Sequence, residues 1–256
     1  MAKLLEVPDE QCPPCALKHR KGQRALAENA DLDDADIQRL DYRERSILDV
    51  ADDAVESQDA VITLNEHFRS TPPIIAFSNA RFYSGGLRIM TQRPTVARDS
   101  LAVVTVAGRR DPDGINPQEI DRIVAEIRNV VAAQASLPPA GCHSIGVLSP
   151  FRNQVERLRD VIGEAIPLDV QRRHGIRVNT AHGFQGEERD VMLLSWVVDE
   201  SAPSGSFTFL RRPDVVNVAV TRARLRQLSF VSLPTDSPRL TERTRDSRGR
   251  ARATGG

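Results

Sequence analysis

The sequence is poor in aromatic residues and in cysteine and contains no long apolar run, and each shortage excludes a class of function. Phe, Trp and Tyr make up 4% of the 256 residues, so we do not expect a wide platform for stacking bases. No apolar run approaches the ~20 residues that a membrane-spanning helix needs, and no signal-peptide pattern opens the chain. We therefore expect a soluble, cytoplasmic protein without a membrane partner.

The three cysteines offer one pattern that metal or redox sites share. Cys12-Pro-Pro-Cys15 has the C-x-x-C spacing, and a zinc site would need two further ligands, for which Cys142, His143 and His19 are candidates. The alternative is a set of reduced thiols without a metal. We favour the thiols, and we predict no metal ligands in this chain.

The formal net charge is zero, but the charges are unevenly distributed. Residues 28–59 are rich in Asp and Glu, whereas residues 239–252 are rich in Arg. Between these regions, four or five short apolar runs alternate with helical patterns. This alternation predicts an α/β fold with a parallel sheet and helices on both faces.

One amphipathic helix is especially clear. Asn116 is a suitable N-cap, and apolar residues then recur at helical spacing to about Ala135. The pattern assigns the opposite, solvated side of this helix to Glu119, Arg122, Glu126 and Arg128.

The most informative stretch is a polar loop between two apolar strands. The first strand covers residues 176–180, and the loop that follows contains Gly183 and Gly186. Between and after these glycines stand Gln185, Glu187, Glu188 and Arg189. Because α/β proteins bind ligands beyond the carboxyl ends of their strands, we expect ligand contacts in this loop.

A second cluster, Asn217-Val-Ala-Val-Thr-Arg-Ala-Arg224, follows further along the chain. Its apolar residues predict a mostly buried helix that presents arginine. The two clusters, in this order, resemble motifs V and VI of superfamily 1 helicases, in particular the 1B group with RecD-like and nonsense-mediated-decay helicases. The matching residues are Thr180, Phe184-Gln185-Gly186, Glu188, Asp190, Asn217-Val218-Ala219 and Thr221-Arg222-Ala223.

The resemblance implies a domain organisation as well as a fold. Residues 61–233 would form the second RecA-like domain (2A) of a helicase motor, similar to other P-loop NTPases. Residues 1–60 would be a remnant of motif III followed by an acidic connector, and residues 234–256 a disordered basic tail.

The same resemblance assigns roles at the nucleotide. Arg69, in a segment similar to motif IV, and Arg222 would be arginine fingers that contact the γ-phosphate. Gln11, in the degraded motif III, would sense that phosphate. Gln185, Gly186 and Glu188 would contact the nucleotide, with Glu188 on the ribose. For Arg69 the alternative is a surface arginine beside a helix cap.

Further residues would contact single-stranded DNA or RNA. The Ser-Pro-Phe-x-x-Gln segment resembles a family element that lies along the strand, and its candidates are Ser149, Phe151, Arg152 and Gln154. Thr180 and His182 are further candidates, and Thr180 would help to couple the strand to the nucleotide. The alternative for the segment is an ordinary capped helix.

Two elements that ATP hydrolysis requires are not found in the sequence. There is no Gly-Lys-Ser/Thr, since the only lysines are Lys3, Lys18 and Lys21, and we identify no Walker B motif whose Asp-Glu pair would hold Mg²⁺ and activate water. The resemblance then implies the C-terminal half of an ATP-dependent helicase, using ATP and Mg²⁺ only with an N-terminal domain that carries the phosphate-binding loop. The alternative is a non-catalytic nucleic-acid-binding or regulatory module derived from a helicase domain.

Overall fold

The computed structural model describes residues 47–55, 62, 64–91, 100–210, 213–234 and 237–241. The chain divides into two compact units, residues 1–64 and 65–256. In the first unit, the described residues form helix α1 (Ile47–Asp53). Gln11 and the Cys12/Cys15 pair lie outside the described residues, and so does the tail beyond residue 241.

The second unit alternates strands with helices. The strands are β1 (Glu66–His67), β2 (Arg88–Ile89), β3 (Leu101–Thr105), β4 (Ile145–Leu148), β5 (Arg177–Asn179), β6 (Arg189–Ser195) and β7 (Ala223–Val231). The helices are α2 (Pro72–Phe82), α3 (Pro117–Ala133), α4 (Arg152–Ala165), α5 (Leu168–Arg173), α6 (Ser204–Leu210), α7 (Pro213–Val220) and α8 (Pro238–Thr241).

Five of these strands form one parallel sheet in the order β3-β7-β6-β4-β5, while β1 and β2 form a separate parallel pair. The parallel α/β architecture that the sequence predicts is therefore confirmed. The two longest strands, β6 and β7, lie at and next to the centre of the sheet, which places the segments that begin them beside each other.

Alternating side chains of β6 pack on opposite faces of the sheet, as the geometry of a strand requires. Val191 and Leu193 join a core cluster with α3 and α4, whereas Met192 and Leu194 join a second cluster with α2 and α7. Helices thus cover both faces, which is the reason that β6 reads as one continuous apolar run.

Gly146 shows how closely the central strands are packed. It lies opposite Met192 in the β4–β6 register, and a Cβ added there would lie 2.3 Å from the Met192 sulfur. Because no side chain fits at that distance, the glycine allows the methionine to fill the second cluster.

Four elements differ from the prediction. The sequence of residues 88–100 and 200–206 is typical of loops, but strand β2 lies in the first segment and helix α6 begins in the second. Helix α8 begins inside the predicted disordered tail. Strand β7 begins at Ala223, whereas the apolar run that indicates a strand begins only at Leu228. The early part of β7 carries polar side chains that find partners in the folded domain: Arg226 pairs with Glu126 at 2.7 Å.

Helix α3 is confirmed, and the Asn116 side chain accepts a hydrogen bond from the Glu119 amide at 3.1 Å. The assignment of Glu119 to its solvated side is wrong, because Glu119 is fully buried. On α2, Ile74 and Ile75 are buried, whereas Phe77, which the apolar pattern of the helix places on the same inward face, lies exposed.

None of the helices in the described parts of the chain is both long enough and apolar enough to span a membrane.

Candidate nucleotide and nucleic-acid sites

The polar loop between β5 and β6 runs from one edge of the sheet to the other. It leaves β5 at Thr180 and turns through a short 3-10 helix (His182–Phe184). Phe184 is fully buried in the second core cluster, so it anchors the middle of the loop. Glu187 and Glu188 then precede β6 and lie at its amino end. Because parallel strands place the start of β6 at the opposite edge of the sheet, Glu187 and Glu188 lie away from the carboxyl ends at which ligand contacts are expected.

The loop owes its shape to two glycines. A Cβ on Gly183 would lie 2.1 Å from the Asn179 side chain, and the carbonyl of Gly183 accepts hydrogen bonds from Arg177 and Asn179 at 3.3 and 3.4 Å. The backbone angle φ of Gly186 is +78°, a value that residues other than glycine rarely adopt. His182, Gln185 and Gly186 consequently stand exposed on an ordered loop.

Glu188 joins two arginines that come from distant segments. Its carboxylate contacts the Arg69 Nε at 2.5 Å and the Arg224 Nη1 at 3.4 Å. Backbone contacts bring the first arginine there, because the amide of Thr71 donates to the Arg224 carbonyl at 2.9 Å. Arg69 and Glu188 are 39% and 37% exposed, so the pair is open to solvent and to ligands.

Arg222 lies in the turn between α7 and β7, not within the predicted helix. Its guanidinium donates to the Val218 carbonyl at 3.0 Å, to the Glu187 carbonyl at 3.4 Å and to the Thr221 hydroxyl at 3.3 Å. Burial and the nearby positive charge of Arg69 lower the pKa of Arg222 from its ordinary value, against an opposing effect of Glu188. The positive charges of Arg69 and Arg222 therefore repel each other, and a bound anion would reduce this repulsion.

Asp190 anchors this cluster to the sheet. One carboxylate oxygen contacts Arg224 at 3.0 Å, and the other accepts hydrogen bonds from the Ser144 amide and hydroxyl at 2.9 and 2.8 Å. Burial alone would raise the pKa of Asp190, but the hydrogen bonds from Ser144 and Arg224 outweigh it and hold the pKa below its ordinary value. We call Arg69, Glu188, Asp190, Arg222 and Arg224 the amino-edge cluster.

The predicted strand-contacting residues lie elsewhere, at or near the carboxyl ends of β4 and β5. Phe151 is half-buried and Arg152 exposed at the start of α4. Ser149 is fully buried, and its hydroxyl accepts from the Phe151 amide at 3.3 Å. Thr180 is half-buried, and its hydroxyl accepts from the Gly183 amide at 3.5 Å.

Gln154 does not occupy a surface position. Its side chain is fully buried, and the amide donates to the Ser195 hydroxyl at 2.8 Å and accepts from the Asn116 amide at 2.9 Å. In this structure Gln154 therefore joins α4 to α3 and β6, and a nucleic-acid strand would not reach it.

Glu119 lies at the carboxyl edge of the sheet, and the sequence did not identify it as part of a buried polar network. It accepts hydrogen bonds from the Ser195 hydroxyl (2.6 Å), the Val197 amide (3.0 Å) and the Ser232 hydroxyl (3.0 Å). Burial is the largest influence and raises its pKa to about 7, although these hydrogen bonds act in the opposite direction. Glu119 stands three residues after the N-cap Asn116, which is the spacing of a capping box. This spacing is the signal in the sequence that could have indicated a structural role for Glu119.

Cys142 and His143 were named as candidate zinc ligands. Cys142 contacts the Arg173 guanidinium at 3.1 Å, and the His143 carbonyl contacts the His174 ring at 3.0 Å. Among the described residues there is no group of three or more His, Cys, Asp or Glu side chains that could hold a metal ion.

A family model described as an AAA domain matches residues 44–232. The chain belongs to this AAA domain family. With its ordered motifs and its parallel sheet, it is a RecA-like domain of the superfamily 1 helicases, of the C-terminal (2A) type.

Individual relatives agree with this assignment. Helicase SEN1 of Saccharomyces cerevisiae is 27% identical over 66% of this chain and 8% of its own length. Putative helicase mov-10-B.1 of Danio rerio is 28% identical over 64% of this chain and 19% of its own. This chain therefore spans less than a fifth of the length of each of these two proteins.

The chain also has a weak similarity to a solved structure described as the C-terminal domain of a possible DNA helicase from Lactobacillus. That structure covers 68% of this chain and 91% of its own at 13% identity and a TM-score of 0.41.

Proposed function

We propose that this helicase domain completes an ATP site whose nucleotide is held by a second domain carrying a phosphate-binding loop. The observation that supports the proposal is the amino-edge cluster. Arg69, Glu188 and Arg222 come from three separate segments of the chain and meet at the start of β6 and β7.

The charges of the cluster suit a phosphate group. Arg69 and Arg222 lie close enough for the charge of one to lower the pKa of the other, and an added phosphate relieves that repulsion. A guanidinium presents several N–H donors in one plane, which fits the oxygens of a phosphoryl group in transfer. Arg69 and Arg222 would act as arginine fingers from across the cleft between the two domains.

Glu188, Gln185 and Gly186 would serve the nucleotide itself. Glu188 accepts hydrogen bonds well as a carboxylate, so it fits a ribose hydroxyl once Arg69 has turned to the phosphate. Gln185 and Gly186 are exposed beside it. Mg²⁺ would enter with the nucleotide and help to neutralise its phosphates, and the partner domain would supply its protein ligands.

The same domain would bind a single strand of DNA or RNA at the carboxyl ends of β4 and β5. Phe151, Arg152, Thr180 and His182 are accessible there to different extents. The loop from Thr180 to Glu188 connects this edge to the amino-edge cluster, so a strand at one end and a nucleotide at the other would act on one ordered segment.

ATP turnover tests the proposal. The chain alone should not hydrolyse ATP, whereas the chain mixed with the phosphate-loop domain of a related helicase should do so when single-stranded nucleic acid is added. In that mixture Arg222→Ala should lower kcat by roughly a thousandfold, because an arginine finger acts on the transition state. Arg69→Ala should have an effect of the same kind.

Arg122→Ala, an exposed arginine on α3, is the matched control and should leave turnover unchanged. Unchanged kcat in Arg222→Ala would remove the finger assignment. Strand binding without any stimulation of turnover would favour the non-catalytic module instead.

A further inference from the structure

Two aromatic rings and a guanidinium meet at the carboxyl edge of the sheet. The rings of Phe151 and Phe209 lie 6.1 Å apart between centroids, at an angle of 51°. The guanidinium carbon of Arg110 lies 5.2 Å from the centroid of the Phe151 ring. All three side chains are partly exposed. In a chain with only eight phenylalanines, this gathers flat, accessible surface at one place.

Arg110 is fixed in position by its surroundings. Its amide donates to the Asp199 carboxylate at 2.6 Å, and its Nη1 donates to the Ser206 hydroxyl at 2.8 Å. Gly114, in a turn with φ +82, lies so close that an added Cβ would come within 2.8 Å of the Arg110 Nη2. A side chain held in this way loses little further freedom when a ligand binds.

A cleft of about 570 Å³ opens beside Arg110. Its lining includes Arg109, Arg110, Asp111, Gln118 and Ser201, so two arginines stand against one aspartate, whose carboxylate accepts a hydrogen bond from the Ile115 amide at 2.8 Å. Arg109 is exposed, and Arg152 is exposed at the start of α4, next to Phe151 in the chain. The cleft lies within the size range of about 300–1,000 Å³ that ligand sites occupy. Its arginines favour an anionic ligand.

We propose that Phe151, Phe209 and Arg110 form a stacking subsite for a base of single-stranded nucleic acid, with the adjoining phosphates in the cleft beside Arg109. Aromatic side chains stack on any base because every base has a flat face, and arginine adds charge attraction to the backbone. A duplex hides those faces within its own stack. A single strand is therefore the ligand that this combination fits.

The subsite rests on the proposed function and extends it. The Ser-Pro-Phe-x-x-Gln segment supplies Phe151, whereas Phe209 and Arg110 come from segments that carry none of the motifs. The low aromatic content predicts no wide platform for stacking bases, but the folded chain brings two of its few aromatic rings together at one place.

Fluorescence anisotropy with a labelled single strand of about 12 nucleotides, a length within the range of known site sizes, tests the subsite in the full chain. Phe209→Ala should raise Kd about five- to tenfold, which corresponds to the loss of one stacked base. Phe209→Trp keeps a flat ring, so it should restore tight binding, and its fluorescence should change when the strand is added. Phe77→Ala, another partly exposed phenylalanine in a ring pair, is the matched control and should bind as the unaltered chain does.

An abasic strand of the same length separates stacking from charge. It keeps the phosphates but offers no base, so Phe209→Ala and the unaltered chain should bind it equally. Equal affinity of the two for the normal strand would overturn the subsite while leaving strand binding intact, and so would an equal loss on both strands. Failure of the unaltered chain to bind any single strand, of DNA or of RNA, would overturn the proposed strand binding as well.

Discussion

The two edges of the sheet hold their charged residues in opposite ways. At the carboxyl edge, Glu119 is fully buried within a network of hydrogen bonds to Ser195, Val197 and Ser232. At the amino edge, Arg69, Glu188 and Arg224 are each more than a third exposed. Both edges are polar, but the Glu119 carboxylate is enclosed by the protein, whereas the carboxylate and guanidinium groups of the amino-edge cluster lie within reach of a ligand.

This difference distinguishes residues that stabilise the fold from residues that can contact a ligand. An exposed ion pair contributes only about 0–1 kcal/mol, so Arg69 can exchange Glu188 for a phosphate at little cost. A buried carboxylate with several donors cannot change partners without leaving polar groups unsatisfied. The buried network therefore fixes the ends of β6 and β7, and the amino-edge cluster remains free to respond.

Glu119→Ala should give the largest loss of stability. It leaves the buried Val197 amide and Ser195 hydroxyl without the acceptor that Glu119 provides, and we expect the free energy of unfolding to fall by about 3 kcal/mol. Urea unfolding followed by circular dichroism measures it. The exposed Glu156→Ala on α4 should change stability by less than about 0.5 kcal/mol. Similar losses in the two variants would show that the buried carboxylate of Glu119 contributes no more to the free energy of unfolding than an exposed one.

The second expectation concerns pH. The pKa of Glu119 in the fold is about 7 and lies above its ordinary value of 4.5, so the folded chain binds the proton more tightly than the unfolded chain. The resulting stabilisation is complete below about 4.5 and is lost as the pH rises through 7. From about pH 5 to about pH 8 the unaltered chain should lose about 2–3 kcal/mol more than Glu119→Gln, which cannot ionise. Parallel pH profiles in urea unfolding would contradict this.

Asp190→Asn should have an intermediate effect. It removes the charge that Ser144 and Arg224 stabilise, and we expect a loss of about 1–2 kcal/mol at neutral pH. The pKa of Asp190 is held below its ordinary value of 3.8, so its contribution is present above 3.8 and disappears as the pH falls through the folded pKa. The difference between the two chains should shrink in acid, while the exposed Asp160→Asn should show no loss at neutral pH.

Arg69→Ala should have the smallest effect on stability. Its contacts are the exposed pair with Glu188 and a long hydrogen bond to the Thr221 carbonyl at 3.5 Å, so we expect a change below about 1 kcal/mol. The change should become smaller still in high salt, which screens exposed charges. A loss comparable to that of Glu119→Ala would mean that the amino-edge cluster is structural rather than free to bind a ligand.

Much of the fold could be predicted because its signals are local. The apolar spacing after Asn116 predicted α3, and the apolar run that begins at Val191 predicted β6. Helix α6 could not be predicted in the same way, because its Ser- and Gly-containing start is typical of a loop. The start of β7 was missed because its arginines break the apolar pattern, and those arginines are paired only after folding.

The sequence predicted which residues belong to the candidate site, but it did not predict where in the fold they lie. Arg69, Glu188 and Arg222 were identified from their motifs, and their roles at a nucleotide remain predictions. Their position at the amino edge followed only from the path of the loop after Thr180. Gln154 illustrates the opposite result, since its motif position suggested a surface contact and its side chain lies in the interior.

The sequence by itself determined the family, the alternation of strands and helices, and the residues that carry the motifs. These depend on residue types at fixed spacings along one segment. Tertiary structure alone decided that Glu119 is buried against Ser195, 76 positions away, and that Arg69 meets Glu188. It also brought Phe209 against Phe151. Such contacts join distant segments, and they arise only when the sheet order sets which strand ends lie side by side.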